Sequence, residues 1–177
     1  MGIKQVSMDE MMKRVARMKD LKSTSKAFVD TRLPENQREI FDVIGGGVTE
    51  DPDSQPAIMD AEDFNLTYIG AEPGKGANLH SHSAGVEVFI PITGTWAVFW
   101  GGEGEHEIEL DQGDVISVPP DVMRGFRNTG SEYSYLMAIL GKTDAGRVTW
   151  SEKVLERARK TGLDLDENGN LIEITPA

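Results

Sequence analysis

Between residues 38 and 141 the chain is a run of short alternating or wholly apolar segments, at 39–44, 64–69, 86–92, 95–100, 105–110, 115–118 and 133–140. Each is cut off by Gly, Pro, Asn or Asp. Alternation puts successive side chains on opposite faces of a strand, and connections this short leave no room for crossover helices. Seven or more strands so arranged specify an all-β sandwich or barrel and exclude a parallel α/β sheet. The chain shows no repeat of solenoid length.

Helical patterns flank this β region. Ser7 and Glu10 have capping-box spacing, and Met8, Met11, Met12, Val15, Met18 and Leu21 recur near the helical period, which predicts an amphipathic helix over 8–21. A methionine stripe of this kind is a packing surface, expected to dock on the chain's own barrel or on a twin subunit, which makes a homodimer the expected state. Ser151 and Gly162 bracket a second helix at 152–160 with Arg157, Arg159 and Lys160 near its end. Beyond it, Asp164, Asp166, Asn168 and Gly169 occupy positions one, three, five and six of a calcium loop, but Thr175 stands at position twelve in place of the bidentate Glu. Asn168-Gly169 between short apolar runs is the stronger signal, that of a hairpin. The chain thus divides into an arm at 1–37, a barrel at 38–141 and a helix with an acidic tail at 142–177.

Composition limits the partners. The 177 residues carry a net charge of -12, which repels nucleic acid and anionic lipid. Residues 1–30 hold seven bases and four acids, +3 in all, leaving −15 for the rest. The absence of cysteine excludes a disulfide framework, a cysteine nucleophile, thiolate zinc and an iron–sulfur cluster. No stretch reaches the roughly 18 apolar residues of a membrane helix, and the N-terminus lacks the apolar run of a signal peptide, so a cytoplasmic protein without membrane contact is expected.

Chemistry concentrates in residues 74–94. His80 and His82 are two apart, so on an extended strand they share a face with Cα atoms roughly 6.5–7 Å apart. Glu87 follows the Ala84-Gly85 turn, where the next strand can return its carboxylate to the same side. Two imidazoles and a carboxylate form a facial set suited to Fe(II) and tolerable for Mn, Ni, Co or Zn.

Here the sequence resembles the cupin superfamily. The family's first motif is matched at every fixed position by Gly74, His80, His82, Glu87 and Gly94. Its second keeps its spacing and matches Gly113, Pro119 and Asn128, but Asp121 replaces a glycine and Arg124 replaces a histidine. The resemblance covers about 64–141 and implies a double-stranded β-helix barrel enclosing a metal held by three His and one Glu. His80, His82 and Glu87 correspond to three of those ligands; Arg124 holds the fourth place.

A guanidinium stays charged and cannot ligate a metal. At about 4 Å from a divalent ion it is repelled by roughly 8 kcal/mol at an effective dielectric of 20. Two arrangements remain open. In one, Arg124 swings to the barrel mouth and anchors the carboxylate or phosphate of a small oxygenated acid, acting with Glu87 while the metal rests on His80, His82, Glu87 and water. In the other, Arg124 pairs bidentately with Glu87 and the barrel is a metal-free site for a sugar or another small molecule. Two neutral imidazoles, Glu87 and Arg124 sum to zero charge, which does not choose between them. Dioxygenases, isomerases and lyases all occur on the scaffold that the resemblance implies. Trp96, Val98 and Trp100 alternate along one strand to line the barrel, with Trp100 and Phe126 placed to contact a ligand. His106 shares the parity of Ile108 and Leu110, so it either points inward as a replacement ligand or lies solvated at the strand's start.

Overall fold

The computed structural model describes residues 3–60, 62–142 and 146–176. The alternating segments become strands β1 (Glu39–Ile44), β2 (Phe64–Ala71), β4 (Glu87–Pro91), β5 (Trp96–Trp100), β6 (His106–Leu110), β7 (Ile116–Val118) and β9 (Ser134–Gly141). Motif residues supply β3 (Gly76–His82) and β8 (Arg124–Asn128), and β10 (Val148–Trp150) extends the second sheet. Among the described residues these strands form two five-stranded antiparallel sheets, ordered β1-β2-β9-β4-β7 and β10-β3-β8-β5-β6. From β3 onward the chain passes repeatedly between the sheets, the winding of a double-stranded β-helix.

Burial follows the period of two. β9 alternates buried and half-buried positions along its whole length, and β4 does the same. The inner faces meet in one core, with Ile69, Phe89 and Leu136 from one sheet against Trp96, Val98 and Phe126 from the other. Phe126 sits at the centre of an aromatic cluster, its ring centroid 5.2 Å from that of Phe89 and 6.2 Å from that of Trp96. Gly76 lets β3 approach β8, because a Cβ there would collide with the Phe126 carbonyl.

The N-terminal helix is shorter than its periodicity predicts. The helix α1 covers Met8–Met12, with the reciprocal Ser7–Glu10 box at its start, and a separate 3-10 turn follows at Met18–Asp20. Met8, Met11, Met12, Val15 and Met18 are all exposed, so the apolar stripe does not dock on its own barrel. A helix this short is marginal without tertiary burial, which explains its early end. Arg14 instead turns to Asp60, at 3.1 Å.

The second helix, α2 (Glu152–Lys160), runs as its sequence signals predict. Val154 and Ala158 bury its inner face against Val29, Trp150 and Leu163 in a satellite core at the end of the barrel. The tail forms the hairpin β11 (Leu163–Leu165) and β12 (Leu171–Glu173). Within its turn the Asp166 carboxylate accepts from the Asn168 and Asn170 amides, both at 2.8 Å, which closes the hairpin that Asn168-Gly169 signals. No described helix is long and apolar enough to cross a membrane.

Candidate metal centre

His80 and His82 project from one face of β3 with ring centroids 5.0 Å apart, and both are buried. Glu87 opens β4 in the opposite sheet and returns its carboxylate across the barrel, with Oε2 3.6 Å from His82 Nε2. One ligand atom from each of the three residues lies within 4.8 Å of the others. Ligand distances of roughly 2.0–2.2 Å separate neighbouring donors by about 3 Å, so a modest contraction closes the set around one ion. Among the described residues this is the group of His and acidic side chains that converges in this way.

The imidazoles are set up as neutral ligands. His80 Nδ1 lies 2.7 Å from the Asn78 carbonyl, which only accepts, so the proton is on Nδ1 and Nε2 keeps its lone pair. Burial first, then His82 and Arg124, hold His80 well below the ordinary imidazole range. Burial and then Arg124 push His82 down to about 3, against a hydrogen bond with the Arg147 backbone. Burial raises Glu87, opposed by Arg124.

Arg124 opens β8 directly across from His80 and lies wholly buried. Its Nε donates to Glu87 Oε2 at 2.9 Å, its Nη1 donates to the Val122 carbonyl at 2.9 Å, and its Nη2 is buried without a partner. The pair is thus made through a single nitrogen rather than as a bidentate fork, and the side chain does not swing to the mouth. Asp121, in the glycine position of the second motif, has φ 62°, which Asp tolerates better than most residues. Its amide donates to the His82 carbonyl at 2.9 Å, which ties the second motif to the first.

The cavity beside these residues leaves about 40 Å³ for the centres of water molecules. That is room for about three waters, or for an ion with one or two of them. Phe28, Phe126 and Trp150 wall it, and Arg38, Asp42, His80, His82 and Glu87 supply its charged or ligating groups. Phe126 therefore stands where the sequence places it. Trp100 does not line the cavity; it is half-buried, with its ring 5.7 Å from the exposed His106. The cause lies in the sheet order, since β6 is an edge strand and its inward face opens to solvent at Ile108 and His106. His106 accordingly takes the solvated place, away from the ligand set.

Sequence reasoning missed Trp150, Glu50, Asp30, Arg38 and Asp42. Trp150 pairs with His80 in register and packs its ring 5.2 Å from the imidazole. Its Nε1 donates to Glu50 Oε1 at 2.6 Å, while Glu50 Oε2 accepts from the Val29 amide at 2.6 Å. Glu50 thereby joins the arm, the loop after β1 and the strand before α2 over the end of the barrel. Arg38 and Asp30 form a buried ion pair at 2.9 Å. Asp42 was the one legible signal, an acid between Phe41 and Val43 in the apolar part of its strand, 40–44.

The cupin-domain family model matches residues 67–140, which span β3, β4 and β8 with all three candidate ligands and Arg124. The barrel is a cupin domain. Solved cupins and other double-stranded β-helix proteins share this architecture. A cupin 2 domain-containing protein from Halorhodospira halophila is 20% identical with a TM-score of 0.52, over 68% of this chain and 75% of that one. An oxalate decarboxylase from Lactobacillus farciminis, solved as a formate complex, is 17% identical with a TM-score of 0.55, over 79% of this chain but only 36% of that one. An uncharacterized conserved protein with a double-stranded β-helix domain from Klebsiella pneumoniae is 21% identical with a TM-score of 0.47, over 53% of this chain and 81% of that one. At these identities the likeness is one of fold. No curated protein matches the chain.

Proposed function

We propose that this cupin binds one divalent first-row metal ion through His80, His82 and Glu87 and takes a small oxygenated acid at the ion's open positions. The observation that carries the reading is the buried charge around the donor set. Asp30, Asp42, Glu50 and Glu87 are buried acids, and Arg38 and Arg124 are the buried bases that face them. Their formal charges sum to −2, which one divalent cation neutralises. Burial raises Asp30, Asp42, Glu50 and Glu87, and the arginines beside Asp30 and Glu87 and the hydrogen-bond donors beside Asp42 and Glu50 oppose that rise only in part.

Within this reading the chain's residues have separate tasks. His80 and His82 ligate as neutral imidazoles, and Arg124 holds Glu87 in place and offers its spare Nη2 donor to the acid. Phe126 and Trp150 limit the ligand's size and exclude bulk water. A bound ion of this class supplies Lewis acidity, and a redox-active one also supplies oxygen chemistry. The alternative is a metal-free binding site centred on Arg124 and Glu87, and the 2.9 Å bond between them favours it.

Elemental analysis of untagged protein decides between the two. The metal reading expects close to one equivalent of a first-row metal in the wild type and its loss in His80→Ala and His82→Ala. Wild-type protein that carries no metal and takes up none of Fe, Mn, Ni, Co or Zn at micromolar concentration overturns it.

A further inference from the structure

The register between β3 and β8 jumps between Ala77, which faces Phe126, and His80, which faces Arg124. The extra residue is a β-bulge, and it releases the backbone of Asn78 from the ladder. Both freed groups are taken up. The Asn78 amide donates to Asp30 Oδ2 at 3.1 Å, and the Asn78 carbonyl accepts the His80 Nδ1 proton at 2.7 Å. Asp30 is fully buried, and its other oxygen accepts from Arg38 Nη1 at 2.9 Å. The same Arg38 nitrogen donates to the Asn36 carbonyl at 2.8 Å, so the guanidinium is itself held. Hydrogen bonds therefore join Arg38 to Asp30 and Asp30 to the Asn78 amide, and across the Asn78 Cα the carbonyl of the same residue meets a ring nitrogen of His80.

We propose that Asp30 is a positioning residue for the metal centre: it holds the Asn78 amide, and with it the backbone at Asn78 from which the next peptide aims its carbonyl, which keeps the His80 proton on Nδ1 and presents Nε2 to the ion. Asp30 touches neither the imidazole nor the ion site. It belongs to the segment before β1, outside the 67–140 region that the family model matches. The bulge makes the control necessary, because backbone outside the ladder is free to turn at Asn78, and an amide left unpaired in this half-buried stretch carries a desolvation penalty that would drive it to do so. Groups that hold the second nitrogen of a ligating imidazole select its tautomer and ring orientation, and their loss typically costs 10–100-fold in metal affinity. The relay stands on the bond geometry; only its effect on affinity rests on the metal reading proposed above.

The test uses full-length metal-free protein labelled with ¹⁵N-histidine, in which long-range ¹H–¹⁵N correlations report the tautomer of each of the three histidines. His80→Ala assigns the signal. Wild-type His80 is expected as the Nδ1–H tautomer. In Asp30→Asn one carboxylate oxygen becomes a donor facing a donor, so His80 is expected to shift toward Nε2–H and Co²⁺ affinity to fall 10–100-fold. Asp30→Leu with Arg38→Met removes both charges together, an exchange that buried ion pairs often tolerate, and it should give the same tautomer shift in a folded protein. Retention of Nδ1–H in a folded variant of either kind overturns the proposal. A tautomer shift in a protein whose wild type binds none of Fe, Mn, Ni, Co or Zn upholds the relay while refuting the metal reading.

Discussion

Arg124 Nε and Glu87 Oε2 meet at 2.9 Å with both side chains inside the barrel, so the fourth corner of the ligand set holds a fixed positive charge already bonded to one of the ligands. An ion entering at His80, His82 and Glu87 must displace or tolerate that charge. The Coulomb cost of about 8 kcal/mol at 4 Å is an upper bound, because the long side chain can relax. Arg124→His removes the repulsion and adds a fourth donor. We expect at least a tenfold gain in metal affinity, or about 1.4 kcal/mol, measured by competition with a chelator. Unchanged affinity would show that the wild-type guanidinium leaves the site when metal binds.

Glu50 sets a pH dependence of stability. Burial pushes its carboxyl from the ordinary 4.5 up to about 7, against the pull of the Trp150 and Val29 donors. Of the charged groups around it, Asp30 raises it further and Arg38 lowers it. The folded protein thus holds this proton more tightly than the unfolded chain. The stabilisation is complete below pH 4.5 and is lost as pH rises through about 7. Its full size is about 3 kcal/mol at most. Urea unfolding of metal-free protein should show wild-type stability falling by 1–3 kcal/mol more than that of Glu50→Gln over this window. The difference between the two curves removes the contributions of Asp42 and Glu87, which both proteins share.

Asp121 tests the departure from the second motif at its glycine position. With φ at 62°, a β-branched side chain would crowd the backbone in a way that Asp avoids. Asp121→Val should cost about 1–2 kcal/mol and weaken the amide bond to the His82 carbonyl. Asp121→Gly should be neutral or stabilising by up to about 1 kcal/mol. Chemical denaturation of both variants measures the two signs.

The arm bears on assembly. Its exposed methionines are not covered by the chain itself, and the surplus of basic residues at 1–30 complements an acidic body. We expect the full chain to sediment as a homodimer at micromolar concentration and a variant lacking residues 1–22 to sediment as a monomer. A full chain that sediments as a monomer would count against any role for the arm in assembly.

The all-β class, the parity of most strands and the three candidate ligands follow from the sequence alone. Each rests on a local rule: period two, a turn signal, or the spacing of His80 and His82 on one face. The double winding was readable only through the resemblance that five motif residues carry. Periodicity failed at α1, where a helical pattern continues past the helix, because helix length depends on a docking partner that the pattern does not contain. It also failed at Trp100, whose inward parity is right but whose strand pairs with an uncovered edge. The charge of the site shows the division most clearly. His80, His82, Glu87 and Arg124 are neutral together, and only the folded chain brings Asp30, Arg38, Asp42 and Glu50 into the same low-dielectric interior, where their charges add to −2. Ligand identity was written in spacing along one strand and across one turn. The net buried charge around these residues, and the Asn78 carbonyl that meets His80 Nδ1, were decided by segments that meet only in three dimensions.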